Sequence, residues 1–364
     1  MGGSFLGQIF KISTFGESHG AAVGVIIDGC PAGLKIYESD IANYLKRRMP
    51  ISKFSTARVE RDNFKILSGI MNDETLGTPI CILVENKNFK SEDYDDLKDV
   101  FRPGHADFGW EKKFGIRDYR GGGRASARET VARTIAGSIA KKFLNELGIK
   151  IKTYTLAIKN IRVQKFDTEP ENNFLFMPDT NAYKKVVQLL DDLSLQNDSV
   201  GGIIECNIEN VKAGVGEPVF DKLDAQIAKA VMSIGAVKGI EFGRGFEAAK
   251  LLGSQNNDEY YFEDGSVKKK SNNSGGITGG ISDGGQINFR VAIKPTPSIS
   301  KIQSTINDKN ENVKIEIHGR HDKLIVPRAV VVVESMTAIT LMDAILLSCS
   351  SKFDNVRKNY FGWE

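Results

Sequence analysis

The chain has 364 residues, 41% hydrophobic and 26% charged, the composition of a globule that can bury a large core, which excludes disorder as its main state. Lys and Arg number 49 against 46 Asp and Glu, and a formal net charge of +3 argues against binding nucleic acid or a membrane surface by charge alone. Cys30, Cys81, Cys206 and Cys349 are scattered without a C-x-x-C pair, so neither a zinc ribbon nor a dithiol redox motif can be read and no metal is expected.

In chain order, the apolar run Val23–Ile27 reads as a strand that leads through Ala32-Gly33 to an acid-started helix over Ser39–Arg48. Ile66–Ile70 and Ile80–Val84, short apolar runs bounded by glycine and polar residues, read as further strands. The clearest helix starts at Ser126, where Ser-Ala-Arg-Glu has the form of a capping box and Val131, Ile135, Ile139 and Phe143 recur at four-residue spacing until Gly148. Val200–Ile204 leads through Ala213-Gly214 to a helix from Asp221 or Lys222 to Ile234, a weak repeat of the first strand, loop and helix. Residues 253–285 are polar and glycine-rich and read as a long loop, either functional or a surface insertion. Ile287–Ile293, Val313–Ile317 and Leu324–Val333 read as strands, and a helix apolar almost all round runs from about Ser335 to Leu347, predicted to be buried. The mixture predicts an α+β fold of helices packed on antiparallel or mixed sheet. A single domain over residues 1–364 is expected, with weakly repeated halves at about 10–150 and 195–350. The stretch MGGSFLGQIFKISTFGESHG lacks the charged and long apolar regions of a secretory signal, and no apolar run reaches a membrane span, so the cytoplasm is the expected location.

Local arginine density is the first chemical signal: Arg102, Arg117, Arg120, Arg124, Arg128 and Arg133 fall within 32 residues, with Arg47 and Arg48 on an earlier helix. Guanidinium forks suit phosphates and carboxylates, so a small polyanionic ligand is predicted. Gly121–Gly123 sit between Arg120 and Arg124 and feed the capped helix at Ser126, a place where exposed amides and the helix dipole favour an anion. The tract lacks the Lys-Ser/Thr ending of a P-loop, and no G-x-G-x-x-G follows a strand, so a dinucleotide-binding Rossmann fold is not expected. Arg-Gly-Gly-Gly-Arg also occurs in RNA-associated chains, but here the tract is single and abuts a helix.

Histidine is rare: only His19, His105, His318 and His321. His19 in Gly-Glu-Ser-His-Gly and His105 in Arg-Pro-Gly-His-Ala-Asp can each titrate near neutrality as a general acid or make a structural hydrogen bond. Gly319-Arg320-His321-Asp322 places a guanidinium beside a carboxylate, as an ion pair or as part of a site. Lys294-Pro295-Thr296-Pro297-Ser298 is a rigid turn bearing a cation and hydroxyls, suited to a phosphate or a ring edge.

Ordered along the chain, these motifs resemble the chorismate synthase family over nearly the whole length. They are GESHG (16–20) with DGCPAG (28–33), RPGHAD (102–107), DYRGGGRASARET (118–130), GAVKGIEFG (235–243), GSQNNDE (253–259), GGITGGIS (275–282), KPTPS (294–298) and GRHD (319–322). The resemblance implies an anti 1,4-elimination of phosphate from 5-enolpyruvylshikimate 3-phosphate to give chorismate, with reduced FMN required although no net redox change occurs. That substrate carries a phosphate and two carboxylates, which accords with the arginines.

By resemblance, Arg48, Arg102, Arg124 and Arg320 hold anionic groups, with Arg48, Lys53 and Arg102 assigned to substrate or NADP. His105 donates to the leaving phosphate, His19 protonates or polarises the reduced flavin, and Asp322 assists at the flavin N5. The family's flavin contacts carry over onto Arg124, Ala125, Ser126, Gly235, Ala236, Gly279, Lys294, Pro295, Thr296, Pro297, Ser298 and Arg320. Three positions depart from the pattern: Ala125 replaces one of two serines, Lys53 stands where relatives often have arginine, and Lys323 follows Asp322 in place of proline. The family fold implied is a β-α-β sandwich core with repeated helix-on-sheet units, assembled as a homotetramer. A chain without long insertions favours an external flavin reductase over NADPH oxidation by the chain itself.

Overall fold

The computed structural model of the protein describes residues 3–49, 54, 62–86, 97–317 and 322–362. Lys53, His318, Arg320 and His321 lie outside the described residues. Two five-stranded antiparallel sheets carry the architecture. The first runs Phe5–Leu6, Lys11–Phe15, Ala22–Asp28, Ile80–Glu85, Phe64–Ser68 in spatial order. The second runs Val237–Phe242, Ile287–Ile293, Gly202–Glu209, Lys150–Ile158, Ile161–Arg162. Each central strand turns alternate apolar side chains inward, as Ile80, Ile82 and Val84 do in the first sheet and Ile287, Phe289, Val291 and Ile293 in the second.

Eight helices are described: α1 (Glu38–Arg48), α2 (Asp107–Phe114), α3 (Thr130–Glu146), α4 (Thr180–Gln196), α5 (Leu223–Met232), the single turn α6 (Gly253–Asn256), α7 (Val326–Ser348) and α8 (Phe353–Phe361). Helix α3 packs on the first sheet and α5 and α7 on the second, α3 lies along α7 between them, and α1 packs against both α3 and α7. Helices are thus the filling between two sheets, the sandwich that the sequence resemblance implies, and one apolar cluster runs through it from Phe10 to Met342. The α3–α7 approach needs Gly137: a Cβ there would stand 2.2 Å from the Cβ of Ser335. Buried hydroxyls at this crossing, Thr134 on α3 and Ser335, Thr337 and Thr340 on α7, donate to carbonyls four residues back, so none is left unsatisfied. Among the described residues α7 is the one helix long and apolar enough to cross a membrane, and 78% of that apolar window is buried within the fold.

The predicted strand at Leu324–Val333 is instead the first half of α7. Pro327 occupies the first turn, where its fixed φ and missing N–H are tolerated, and Val330 to Val333 are buried within the sandwich, so packing overrides their β preference. The helix predicted from Ser126 begins as two 3-10 turns, Gly123–Ala125 and Ala127–Glu129, before α3 opens at Thr130. Residues 253–285 are not a bare loop: they hold α6, a hairpin pairing Tyr260–Glu263 with Ser266–Lys269, and a second pairing Ile277–Thr278 with Ile281–Ser282.

Candidate active site

The site grows from the first sheet. Strands Lys11–Phe15 and Ala22–Asp28 are joined by the segment carrying Ser18 and His19, and His19 is 4% exposed. Its imidazole abuts the glycine tract, where Gly121, Gly122 and Gly123 have φ of +64°, +86° and +53°, a left-handed run that side chains resist. A Cβ on Gly121 would fall 2.2 Å from His19 Cε1. The Ser18 hydroxyl lies 3.1 Å from His19 Nδ1, and the Ser18 N–H donates to the Gly123 carbonyl at 3.4 Å.

Arg102 flanks the other side of the tract, its Nη2 lying 3.6 Å from where a Gly122 Cβ would stand. It is buried and donates to both oxygens of Asp107, Nε at 2.8 Å and Nη2 at 2.9 Å, while its backbone N–H adds a third bond at 3.1 Å. Burial alone would raise the Asp107 carboxyl, but the Arg102 donors hold it below its ordinary value. Three residues along, His105 sits with Nδ1 3.0 Å from the Pro103 carbonyl and Nε2 3.0 Å from the Ser298 hydroxyl. Burial first, then the Arg102 charge, lowers its pKa to about 4, so the ring is neutral at pH 7.

The turn Lys294–Ser298 closes against this segment: Lys294 Nζ donates to the Gly104 carbonyl at 2.6 Å, and the Lys294 N–H donates to Ala236 O at 2.9 Å, which brings Gly235 and Ala236 alongside. Burial, then Lys238, pushes the Lys294 ammonium below its ordinary value. Between the two histidine segments opens a cleft of about 710 Å³, lined on one side by Glu17, Gly20 and the Arg120–Ala125 tract and on the other by Asp107, Trp110 and Phe114. Arg124 is steered there by the Thr14 hydroxyl at 2.7 Å, which itself donates to buried Glu129 at 2.7 Å. The predicted capping box does not form: Glu129 is taken by Thr14 and Arg133, and Ser126 Oγ accepts instead from the Arg128 N–H at 3.4 Å.

A second cluster surrounds Arg48, which is 5% exposed. Asp62 bridges Arg48 Nη2 at 2.7 Å and Arg128 Nη1, and Arg328 donates to Asp322 at 2.6 Å and to the Arg48 carbonyl at 3.2 Å. Three guanidinium groups thus face two carboxylates, and burial, offset by Asp62 and reinforced by Arg328 and Arg128, lowers the Arg48 pKa. Arg128 joins this cluster to the cleft: its Nε donates to Asn86, whose amide donates to the carbonyls of Gly20 and Glu17.

The structure therefore gathers His19, Arg102, His105, Arg124, Ala125 and the Lys294–Ser298 turn, with Arg48 and Asp322 in the adjoining arginine cluster. Gly279 is not brought there. It is exposed at the tip of the hairpin Ile277–Ser282, whose Gly280 packs on Lys222 and Glu217 beside α5. Asp62, Asn86, Thr14 and Arg328 were not singled out by sequence reasoning: a lone acid or amide between apolar runs carries no local pattern, and only the fold places it on an arginine.

A family model described as chorismate synthase matches residues 10–346. The chorismate synthases of Lachnospira eligens and Lachnoclostridium phytofermentans are each 54% identical to the chain, over 99% of it and 100% of their own length. That of Methanosarcina mazei is 50% identical over 96% of this chain and 97% of its own. A chorismate synthase crystal structure superposes with a TM-score of 0.76 at 32% identity, covering 98% of each chain. With that fold and those arginine-lined histidine segments, the chain belongs to the chorismate synthase family of lyases, which eliminate phosphate from 5-enolpyruvylshikimate 3-phosphate to form chorismate.

Proposed function

We propose that elimination takes place in the cleft between His19 and His105, with reduced FMN held on the Lys294–Ser298 turn and the Arg124–Ser126 segment. The observation that carries this reading is the convergence, beside the cleft that Arg124 lines, of the two histidine segments and Arg102 with a turn whose own polar groups are only partly used. Thr296 Oγ1 is buried without a hydrogen-bond partner among the described residues, and Lys294 meets a carbonyl with no carboxylate beside it there. An unused buried hydroxyl and an uncompensated cation fit a ligand that brings a phosphate and ring carbonyls. A volume near 710 Å³ falls within the range of cofactor sites.

When bound, reduced FMN supplies electron density to the substrate ring without net redox change. The chain's own groups bind and move protons. Arg124 lines the cleft and Arg102 lies behind its glycine wall, both as anion holders, and Arg48 holds an anionic group from the adjoining cluster, where its buried Nε has no partner among the described residues. His105 is neutral without substrate, and a phosphate dianion close to it favours the imidazolium, so the ring takes its proton on substrate binding and returns it to the departing phosphate. His19, buried beside the glycine tract, serves the flavin side, and Asp322, tied to Arg328, serves from the arginine cluster. A homotetramer accords with large apolar side chains left exposed on one chain, among them Phe246 at 83% and Phe262 at 73%. Reduced flavin from a separate reductase in the cytoplasm completes the proposal.

The test is His105→Ala. Turnover should fall roughly 10²-fold or more, the scale of a general acid, while reduced FMN still binds. Near-full turnover would contradict the role.

A further inference from the structure

His105 lies between two partners of different character. The Pro103 carbonyl, 3.0 Å from Nδ1, can only accept, so Nδ1 must carry a proton for that contact to be a hydrogen bond. In the neutral ring Nε2 is then a bare acceptor, and the group facing it at 3.0 Å, the Ser298 hydroxyl, can donate. We propose that Ser298 is the positioning residue for His105: with the Pro103 carbonyl fixing the tautomer protonated at Nδ1, the Ser298 hydroxyl holds Nε2 in place as the atom that gains and loses the catalytic proton.

The contact spans 193 positions of sequence and is made by the Lys294–Ser298 turn, which Pro295 and Pro297 stiffen and which the Lys294 bond to the Gly104 carbonyl clamps to the His105 segment. Pro297 packs there as well, with its Cβ 2.8 Å from where a Gly104 Cβ would stand. A hydroxyl suits the task because it both donates and accepts. With Nε2 bare, Ser298 donates to it; once Nε2 is protonated, Ser298 accepts from it after a turn of its own O–H, and neither heavy atom moves. The charged groups around the ring are Arg102 and Asp107 on its own segment and Lys294 on the facing turn. Burial first, then the Arg102 and Lys294 charges set against Asp107, keeps the ring neutral until an anion arrives. The tautomer is a property of the chain itself, whereas its kinetic consequence rests on the proposed role of His105.

The experiment uses the full-length protein labelled with ¹⁵N-histidine, with His105 assigned by the signals lost in His105→Gln. Wild-type protein at pH 7 should show a protonated Nδ1 and an unprotonated Nε2 for His105; an Nε2–H ring or an even mixture would overturn the proposal. In Ser298→Ala the tautomer should persist, since Pro103 sets it, while the Nε2 chemical shift should move as that nitrogen loses its partner. The Ser298→Ala kcat should fall roughly 5- to 10-fold, the loss of about one neutral hydrogen bond, and saturating reduced FMN should not rescue it. Ser298→Thr, which retains a hydroxyl, should restore both the Nε2 shift and kcat. A Ser298→Ala variant with weakened FMN binding and an unchanged His105 spectrum would assign the hydroxyl to the cofactor instead. If the tautomer stands as stated but His105→Ala is active, the positioning holds and the proton-donor role fails, so the two claims separate.

Discussion

Gly121 has no side chain because His19 fills the space a side chain would take. With φ at +64° and a notional Cβ 2.2 Å from His19 Cε1, alanine here both adopts a disfavoured backbone and drives into the imidazole. Gly121→Ala should therefore cut turnover roughly 10²-fold, as loss of a positioned acid-base group does, with the far-ultraviolet circular dichroism unchanged. A variant with wild-type kcat would show that His19 need not occupy its present position. His105 gives a pH prediction of definite sign. Its folded pKa is about 4 against an ordinary 6.5, so as pH falls the unfolded chain binds the proton first, and this group's share of stability is full above about 6.5 and lost on the way down to about 4. Urea midpoints measured across that window should fall more steeply for the wild type than for His105→Gln; parallel curves would contradict the depressed value.

Helices α1, α3 and α7 are tied together by one buried acid. Glu334 on α7, 3% exposed, accepts from Tyr44 Oη at 2.7 Å and Arg47 Nη2 at 2.8 Å on α1, and lies 3.4 Å from Lys141 Nζ on α3. Burial alone would raise its carboxyl, but Arg47 and Lys141 hold it below the ordinary value. Arg48, next along α1, owes its place over Asp62 to the same anchoring, so the knot that fixes three core helices also presents the arginine cluster. Glu334→Gln keeps the volume but leaves two half-buried cations without their counter-ion and should cost about 2–3 kcal/mol, read from guanidinium midpoints at fixed protein concentration. A loss under about 1 kcal/mol would mean that Arg47 and Lys141 find water or other acids. The same elements show what local sequence could and could not tell. Strands such as Ile80–Glu85 and Ile287–Ile293 announce themselves by alternation between polar bounds. Helix α4 is not legible from local sequence although Asp179 caps it and Ala182, Val186, Leu190 and Leu193 recur along one face, because neighbouring apolar residues blur the stripe. The Leu324–Val333 run misleads for a physical reason: a valine run buried on every side has no periodicity to betray a helix.

Two antiparallel sheets closing on a helical filling explain why the site is assembled from segments far apart in the chain: the 16–20 loop leaves the first sheet, the 294–298 turn leaves the second, and the glycine tract opens α3 between them. The motif order therefore made the family and its fold legible before any contact was known, while the contacts themselves were not. Nothing in GESHG or RPGHAD says that Gly121 will lie against His19 or that Ser298 will face His105, since those meetings depend on sheet register and on the α3–α7 crossing. Gly279 shows the opposite limit, a motif glycine that one chain leaves exposed and away from the cleft. The central claim is that this cleft eliminates phosphate with help from reduced flavin. The direct measurement is anaerobic: purified protein with photoreduced FMN and 5-enolpyruvylshikimate 3-phosphate, following phosphate release and chorismate absorbance together, with oxidised FMN as control. The account predicts equal amounts of phosphate and chorismate, formed only with reduced FMN and without its net oxidation. Folded, flavin-binding protein that forms no chorismate, or that forms it equally well with oxidised FMN, would contradict it.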